Sequence, residues 1–268
     1  MTTALITGAS AGIGRAFAHR LAATGHDLVL VARDTPRLDA LAADLTRVHG
    51  VRCEVLTADL ADRADLGRVA DRLGVEGEDA VDLLVNNAGF AVKTSFFDSE
   101  IADEERQLAV LCQAVLVLTH AAGRAMRARG RGHILNVSSV ASFVTMGTYS
   151  ACKAWVTTFT QSTAVALTGS GVGVTALCPG YTHTEFHDRM GVRMDGIPEV
   201  LWLDADRLVR DALADARAGK VISTPGIVYR AAEIVTGMMP RRVVQALSLA
   251  LSEERGRRSD HRTAPPRQ

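Results

Sequence analysis

A chain of 268 residues, 47% hydrophobic and 22% charged, is long enough to bury one sizeable core and too apolar to remain disordered. Its 30 basic residues balance 30 acidic ones, so the net charge gives no footing for a nucleic-acid partner or for general attraction to a polyanion. Four scattered cysteines, Cys53, Cys112, Cys152 and Cys178, make no Cys-x-x-Cys pair, which predicts no zinc site, no disulfide framework and a reduced, cytoplasmic setting.

Residues 2–7 carry no basic leader pattern, run straight into a glycine loop and read as a first strand. Further strands are predicted at 27–32, 51–57, 80–85, 132–138, 172–177 and 220–223. Between them, apolar residues at three- and four-residue spacing predict helices at 12–24, 35–49, 62–72, 100–129, 148–169 and 204–218. This alternation is that of repeated βαβ units. It implies an α/β fold: a doubly wound, seven-stranded parallel sheet, Rossmann-like, with helices on both faces. Two uncharged stretches, 134–152 and 154–184, are long enough to cross a bilayer, but their Ser, Thr and Gly content argues against a transmembrane helix.

One domain spanning 1–251 accommodates these elements. Residues 180–203 break the pattern and are expected to form a lid over the carboxyl ends of the strands, where ligands sit in open parallel sheets. Residues 225–251 read as two short helices around Pro240. Core packing is the expectation for them; a partner helix or peripheral membrane contact is the alternative. The polar residues 252–268 are expected to be a disordered tail.

Several motifs converge on one sheet edge. Thr7-Gly8-Ala9-Ser10-Ala11-Gly12-Ile13-Gly14 lies between a strand and a helix, where glycines permit a tight turn and backbone N–H groups can approach a pyrophosphate. Asp59-Leu60 follows the third strand and Asn86-Asn87-Ala88-Gly89 the fourth. Tyr149 and Lys153, four apart, share a helix face and can reach one ligand.

Together with Ser138-Ser139 and Pro179-Gly180, these motifs resemble the short-chain dehydrogenase/reductase family over residues 1–223. The resemblance implies oxidoreduction between a carbonyl and an alcohol with a nicotinamide dinucleotide. Tyr149 is then the general acid in reduction, Lys153 supports it and binds the nicotinamide ribose, and Ser139 holds the substrate oxygen, with Ser138 as the alternative. It further implies a cofactor site built from Gly8, Ser10, Gly12, Ile13, Gly14, Asp59, Leu60, Asn86, Ala88, Gly89, Tyr149, Lys153, Pro179, Gly180, Thr182 and Thr184, and a homodimer or homotetramer formed through helices 100–129 and 148–169.

The sequence departs from the family pattern twice. The interval from Ser139 to Tyr149 is ten residues, shorter than usual, and reads as a trimmed loop. The position that commonly carries a relay asparagine is Leu111, which can neither donate nor accept; Gln107, one turn earlier, is the candidate substitute, or else an exposed polar residue. A slower enzyme is expected.

At the end of the second strand, the family's acidic position is Ala32, followed by Arg33, which favours NADP(H) over NAD(H); Asp34 reads as a loop cap. His183 and His187 do not make a metal-site pattern, and no metal is expected. Phe186, Met190, Met194, Ile197, Leu201 and Trp202 make the lid apolar, which suits a carbonyl on a hydrophobic body such as a ketoacyl, steroid or terpenoid ketone. An NAD-dependent alcohol dehydrogenase and a non-catalytic dinucleotide-binding regulator are the competing readings.

Overall fold

The computed structural model describes residues 2–185, 198–240, 242–243 and 245–246. Seven strands form one parallel sheet: β1 (Thr3–Thr7), β2 (Asp27–Ala32), β3 (Cys53–Thr57), β4 (Val81–Asn86), β5 (Gly132–Val137), β6 (Val172–Leu177) and β7 (Ile222–Ser223), in the spatial order β3-β2-β1-β4-β5-β6-β7. The helices between them are α1 (Gly12–Ala22), α2 (Thr35–His49), α3 (Arg63–Leu73), α4 (Ile101–Leu108), α5 (Ala114–Arg129), α6 (Gly147–Ala166) and α7 (Ala205–Arg217). The doubly wound architecture predicted from the alternation is the one observed. Both long uncharged stretches are divided between strands of the sheet and helix α6.

Strands buried on both faces explain the continuous apolar runs: every residue of β1, and all but the last of β2, is buried. One layer packs Phe17, Leu21, Leu38, Leu45, Leu208 and Val209 from α1, α2 and α7 on the sheet. The opposite layer packs Leu66, Val69, Leu73, Leu118 and Met126 from α3 and α5. Each such side chain contributes roughly 1.5–3 kcal/mol by leaving water. Aspartates begin three helices, with Asp34 accepting from Arg37 N, Asp62 from the amides of Ala64 and Asp65, and Asp204 from Arg207 N.

Several elements differ from the sequence reading: β3 starts at Cys53 rather than residue 51, and α6 ends at Ala166 rather than residue 169. β7 starts at Ile222, two residues later than predicted, and the Lys220 carbonyl before it accepts from the Thr175 hydroxyl at 2.7 Å. The predicted helix 100–129 contains a π-helical turn, Ala109–Gln113, which a periodicity of 3.6 cannot reveal. Helix α8 (Ile227–Met238), expected to pack on the core, buries Tyr229 alone and exposes Ile227, Val228, Ile234, Val235 and Met238. After Pro240 the described residues 242, 243, 245 and 246 are helical. The expected disordered tail, 252–268, and the centre of the lid, 186–197, lie outside the described residues.

Candidate active site

The strand order reverses between β1 and β4, which opens a crevice at their carboxyl ends. The loops carrying the sequence-predicted residues all leave strands at this edge. Thr7 joins two of them: its hydroxyl accepts from the amides of Asn87 (2.9 Å) and Ala88 (3.0 Å). In return, Asn87 Nδ2 donates to the carbonyls of Thr7 (2.9 Å) and Gly8 (3.3 Å). A Cβ on Gly14 would stand 2.3 Å from the Gly8 carbonyl oxygen and 2.4 Å from Asn87 Nδ2, so only glycine lets this corner close.

Helix α1 differs from the aspartate-capped helices. Its N-cap is Ala11, with no side-chain cap and no acidic residue in its first turn. Its leading amides therefore lack a built-in acceptor and favour an anion, as a dinucleotide pyrophosphate requires. The glycine loop and this bare helix start fit the cofactor that the resemblance implies. Ser10 lies half-buried in the loop, and Ile13 packs partly on the core. Thr184 stands over the loop, 3.3 Å from where a Cβ on Gly12 would be. Thr182 is buried, donates to the Gly180 carbonyl at 3.0 Å and bridges to Leu203.

Other predicted cofactor residues are held by partners that the sequence did not announce. Asn86 Nδ2 donates to Asn136 Oδ1 (2.9 Å) and Thr119 Oγ1 (3.2 Å) within the sheet, so its side chain braces β4 against β5 and α5. Leu60 is buried in the core layer beside α3. Burial raises the Asp59 pKa, but hydrogen bonds from Arg106 and the Ala61 amide hold it below the ordinary carboxylate value. Arg33 is exposed at the end of β2 and near enough to Asp59 to favour that charge. Asp34 accepts from Arg37 N at 3.1 Å as the cap of α2, and Arg37 reaches Glu185 beside Thr184 at 3.0 Å.

The catalytic candidates meet where β5 ends and α6 begins. The Ser139 hydroxyl is hydrogen-bonded to the Tyr149 phenol and also accepts from Ala141 N at 3.1 Å. Ser138 is buried and points elsewhere, to the Lys153 carbonyl (2.8 Å) and Thr157 Oγ1 (2.7 Å). Lys153 lies one turn beyond Tyr149, only 4% exposed, with Nζ donating to the Val137 carbonyl at 2.7 Å and lying 5.7 Å from the tyrosine ring centroid. Burial pushes the Tyr149 phenol up to about 12, partly offset by the Ser139 hydrogen bond. Burial lowers Lys153 to about 8, with the nearby thiols opposing the shift.

Leu111 occupies the π-helical turn and is 1% exposed. The point where a Cβ on Gly89 would sit is 2.9 Å from Leu111 Cδ2 and 3.8 Å from Lys153 Nζ, so a hydrocarbon side chain shares the immediate surroundings of the ammonium. Gln107, the candidate substitute, is buried rather than exposed. At 1% exposure both N–H groups of its amide are committed, Nε2 donating to Thr148 Oγ1 (3.0 Å) and Glu104 Oε2 (3.4 Å), while Oε1 accepts from Val92 N (2.9 Å). It clamps the loop after β4 and helix α4 to the residue preceding Tyr149.

Sequence reasoning also missed the thiol cluster. Cys112 and Cys152, distant in the chain, pack with Leu111 and Tyr149, and Cys112 Sγ lies 3.8 Å from the Cys152 carbonyl oxygen. All four cysteines are free. His183 contacts Glu199 at 3.0 Å and stacks on Trp202 with centroids 4.6 Å apart, while His187 lies outside the described residues. Trp202 also lies against Tyr181, and Leu203 beside it packs on the core.

Comparison with known proteins agrees with this geometry. The family model described as short chain dehydrogenase matches residues 2–193. Galactitol 2-dehydrogenase (L-tagatose-forming) of Cereibacter sphaeroides is 32% identical over 235 residues, covering 84% of this chain and 89% of that one. A short-chain dehydrogenase from Sphingobium yanoikuyae, solved in complex with NADPH, is 36% identical with a TM-score of 0.80, covering 90% and 96% of the two chains. The bulky-bulky ketone specific alcohol dehydrogenase from Comamonas testosteroni is 31% identical with a TM-score of 0.75, over the same shares. With its sheet order, glycine loop and Ser139–Tyr149–Lys153 group in place, the chain belongs to the short-chain dehydrogenase family, oxidoreductases that interconvert CH–OH and C=O groups with NAD(P).

Proposed function

We propose that the protein reduces a ketone on a hydrophobic body to a secondary alcohol, with NADPH preferred over NADH, as a cytoplasmic homodimer or homotetramer. The observation that carries the reading is the Ser139 hydroxyl on the Tyr149 phenol with Lys153 one helical turn behind. A ketone oxygen placed between the two hydroxyls would be polarised by Ser139 and would take its proton from Tyr149. The bound dinucleotide supplies the hydride. Lys153 holds a positive charge close to the phenol, which stabilises the phenolate left after proton transfer.

Glycines 8, 12 and 14, the first turn of α1 and Thr184 are the groups that would hold the dinucleotide. Arg33 would face the 2′-phosphate, a role supported by the engagement of the neighbouring Asp34 as a helix cap, which leaves the cation the more available charge. The Sphingobium relative solved with NADPH and the bulky-ketone Comamonas enzyme support the cofactor and the substrate class. Exposed Leu108, Leu116, Trp155 and Val165 on α4, α5 and α6 support self-association through these helices, and four free thiols fit a reducing compartment.

The test is deuterium transfer from 4-deuterated NADPH to a panel of hydrophobic ketones that includes β-ketoacyl thioesters, with NADH in parallel. Labelled alcohol is expected from the wild type, with a loss of roughly 10²–10⁴ in Tyr149→Phe. Label independent of Tyr149 would overturn the mechanism, and equal affinity for NADH and NADPH would remove Arg33 as the phosphate reader.

A further inference from the structure

Helix α8 is amphipathic in the wrong sense for a helix that only packs on its own domain. Its inward residue is Tyr229, 8% exposed, whose ring lies on Gly180 so closely that a Cβ there would be 2.1 Å from it. The Tyr229 hydroxyl accepts from Tyr181 N at 3.1 Å and donates to the Leu201 carbonyl at 2.6 Å. Ile227 lies two residues away, roughly 200° around the helix. It continues through Ile234 and Met238, flanked by Val228 and Val235, as a stripe facing away from the protein. Ile227 is 91% and Met238 82% exposed, and Val243 extends the exposed apolar surface beyond Pro240.

The charges beside this stripe identify its occupant. From Ile227 to Ala246 the chain carries Arg230, Arg241 and Arg242 against Glu233 alone, three basic residues less one acidic, a local +2 in a molecule whose charges cancel as a whole. Arg230 and Arg242 are exposed. An exposed apolar stripe bordered by arginines matches an interface whose interior is hydrocarbon and whose surface is anionic. A two-fold contact of α8 with its own copy would set the same positive segment against itself.

We infer that α8 docks the protein on an anionic lipid surface. The docking face adjoins the site mouth, since α8 lies against the turn Val140–Phe143 that follows Ser139 and is pinned to Gly180, Tyr181 and Leu201. Val200, beside the pinned Leu201, is itself exposed and apolar. A carbonyl compound dissolved in the lipid would meet the site without crossing water. The inference goes beyond the reductase reading and holds whichever ketone is reduced.

Flotation of the full-length protein with phosphatidylcholine vesicles, with and without phosphatidylglycerol, tests it directly. Wild type is expected to float with the anionic vesicles at low ionic strength and to be released by salt. Ile234→Glu/Met238→Glu is expected to lower partition by at least about tenfold, and Arg230→Gln/Arg242→Gln to remove most of the preference for anionic lipid. Both variants alter exposed positions and should keep the wild-type melting temperature and the turnover of a water-soluble ketone. Absence of wild-type binding, or equal binding by the glutamate variant, overturns the inference. So does a lower sedimentation coefficient in the glutamate variant without vesicle binding by wild type, which would assign the stripe to a second copy of the chain.

Discussion

Lys153 and Tyr149 are shifted in opposite directions by one cause, removal from water, and the two shifts cooperate. With the phenol up at about 12, Tyr149 is a proton donor throughout the neutral range. With the amine down at about 8, Lys153 is charged below that pH and neutral above it. The pH dependence of kcat/KM reports groups of the free enzyme. The kcat/KM for reduction should therefore hold level below about pH 8 and fall as the pH rises through it, when the positive charge that stabilises the phenolate is lost. A profile level to pH 10 would show that the lysine charge is dispensable.

Leu111 lies near the same lysine and presents it with hydrocarbon alone. Leu111→Asn would place a donor and an acceptor there, and turnover is expected to rise with a displaced pH limb. The gain is bounded by the roughly 10²–10⁴ that positioned proton transfer contributes. Steady-state rates across pH decide it: unchanged turnover and an unchanged profile would mean that the leucine imposes no defect.

The start of α6 depends on elements far from it in sequence. Thr148 immediately precedes Tyr149, and the loop joining it to Ser139 is short. Gln107 on α4 holds Thr148 with one end of its amide and the Val92 backbone with the other. Its truncation leaves a buried N–H without an acceptor, a loss of about 1–3 kcal/mol. Gln107→Ala is thus expected to melt at a lower temperature and to lose kcat more than it raises KM, since the displaced group is the proposed proton donor. Wild-type stability and kinetics in this variant would remove the clamp from the account. The preceding π-helical turn is the local irregularity that carries Leu111 and Cys112 into the same region.

The whole molecule presents two kinds of exposed apolar surface. Along α5 and α6, Leu116, Val165 and Trp155, which stacks on Phe159 with centroids 4.7 Å apart, lie on the sides of helices whose other sides fill the core. This is the surface expected to bury against a second copy. Leu116→Glu/Trp155→Glu should lower the sedimentation coefficient toward that of a single chain, and an unchanged value would move the interface elsewhere. The α8 stripe carries arginines and adjoins the site mouth, which gives it a different partner.

Strand and helix periods, the glycine spacing of Thr7 to Gly14 and the four-residue interval from Tyr149 to Lys153 are local properties of the chain. They sufficed to predict the parallel sheet and its layers, because each depends on neighbours within a few residues, whereas the roles of Ser139, Tyr149 and Lys153 came from the family resemblance. The engagements of Asn86, Asp59 and Gln107 depend on Asn136, Arg106 and Thr148, tens of residues away, and no local pattern encodes which polar group will be opposite. The same distance hid the meeting of Cys112 with Cys152. Periodicity marked an apolar face on α8, but whether such a face finds protein to cover it depends on how far the sheet and its neighbours extend, and here they reach only Tyr229.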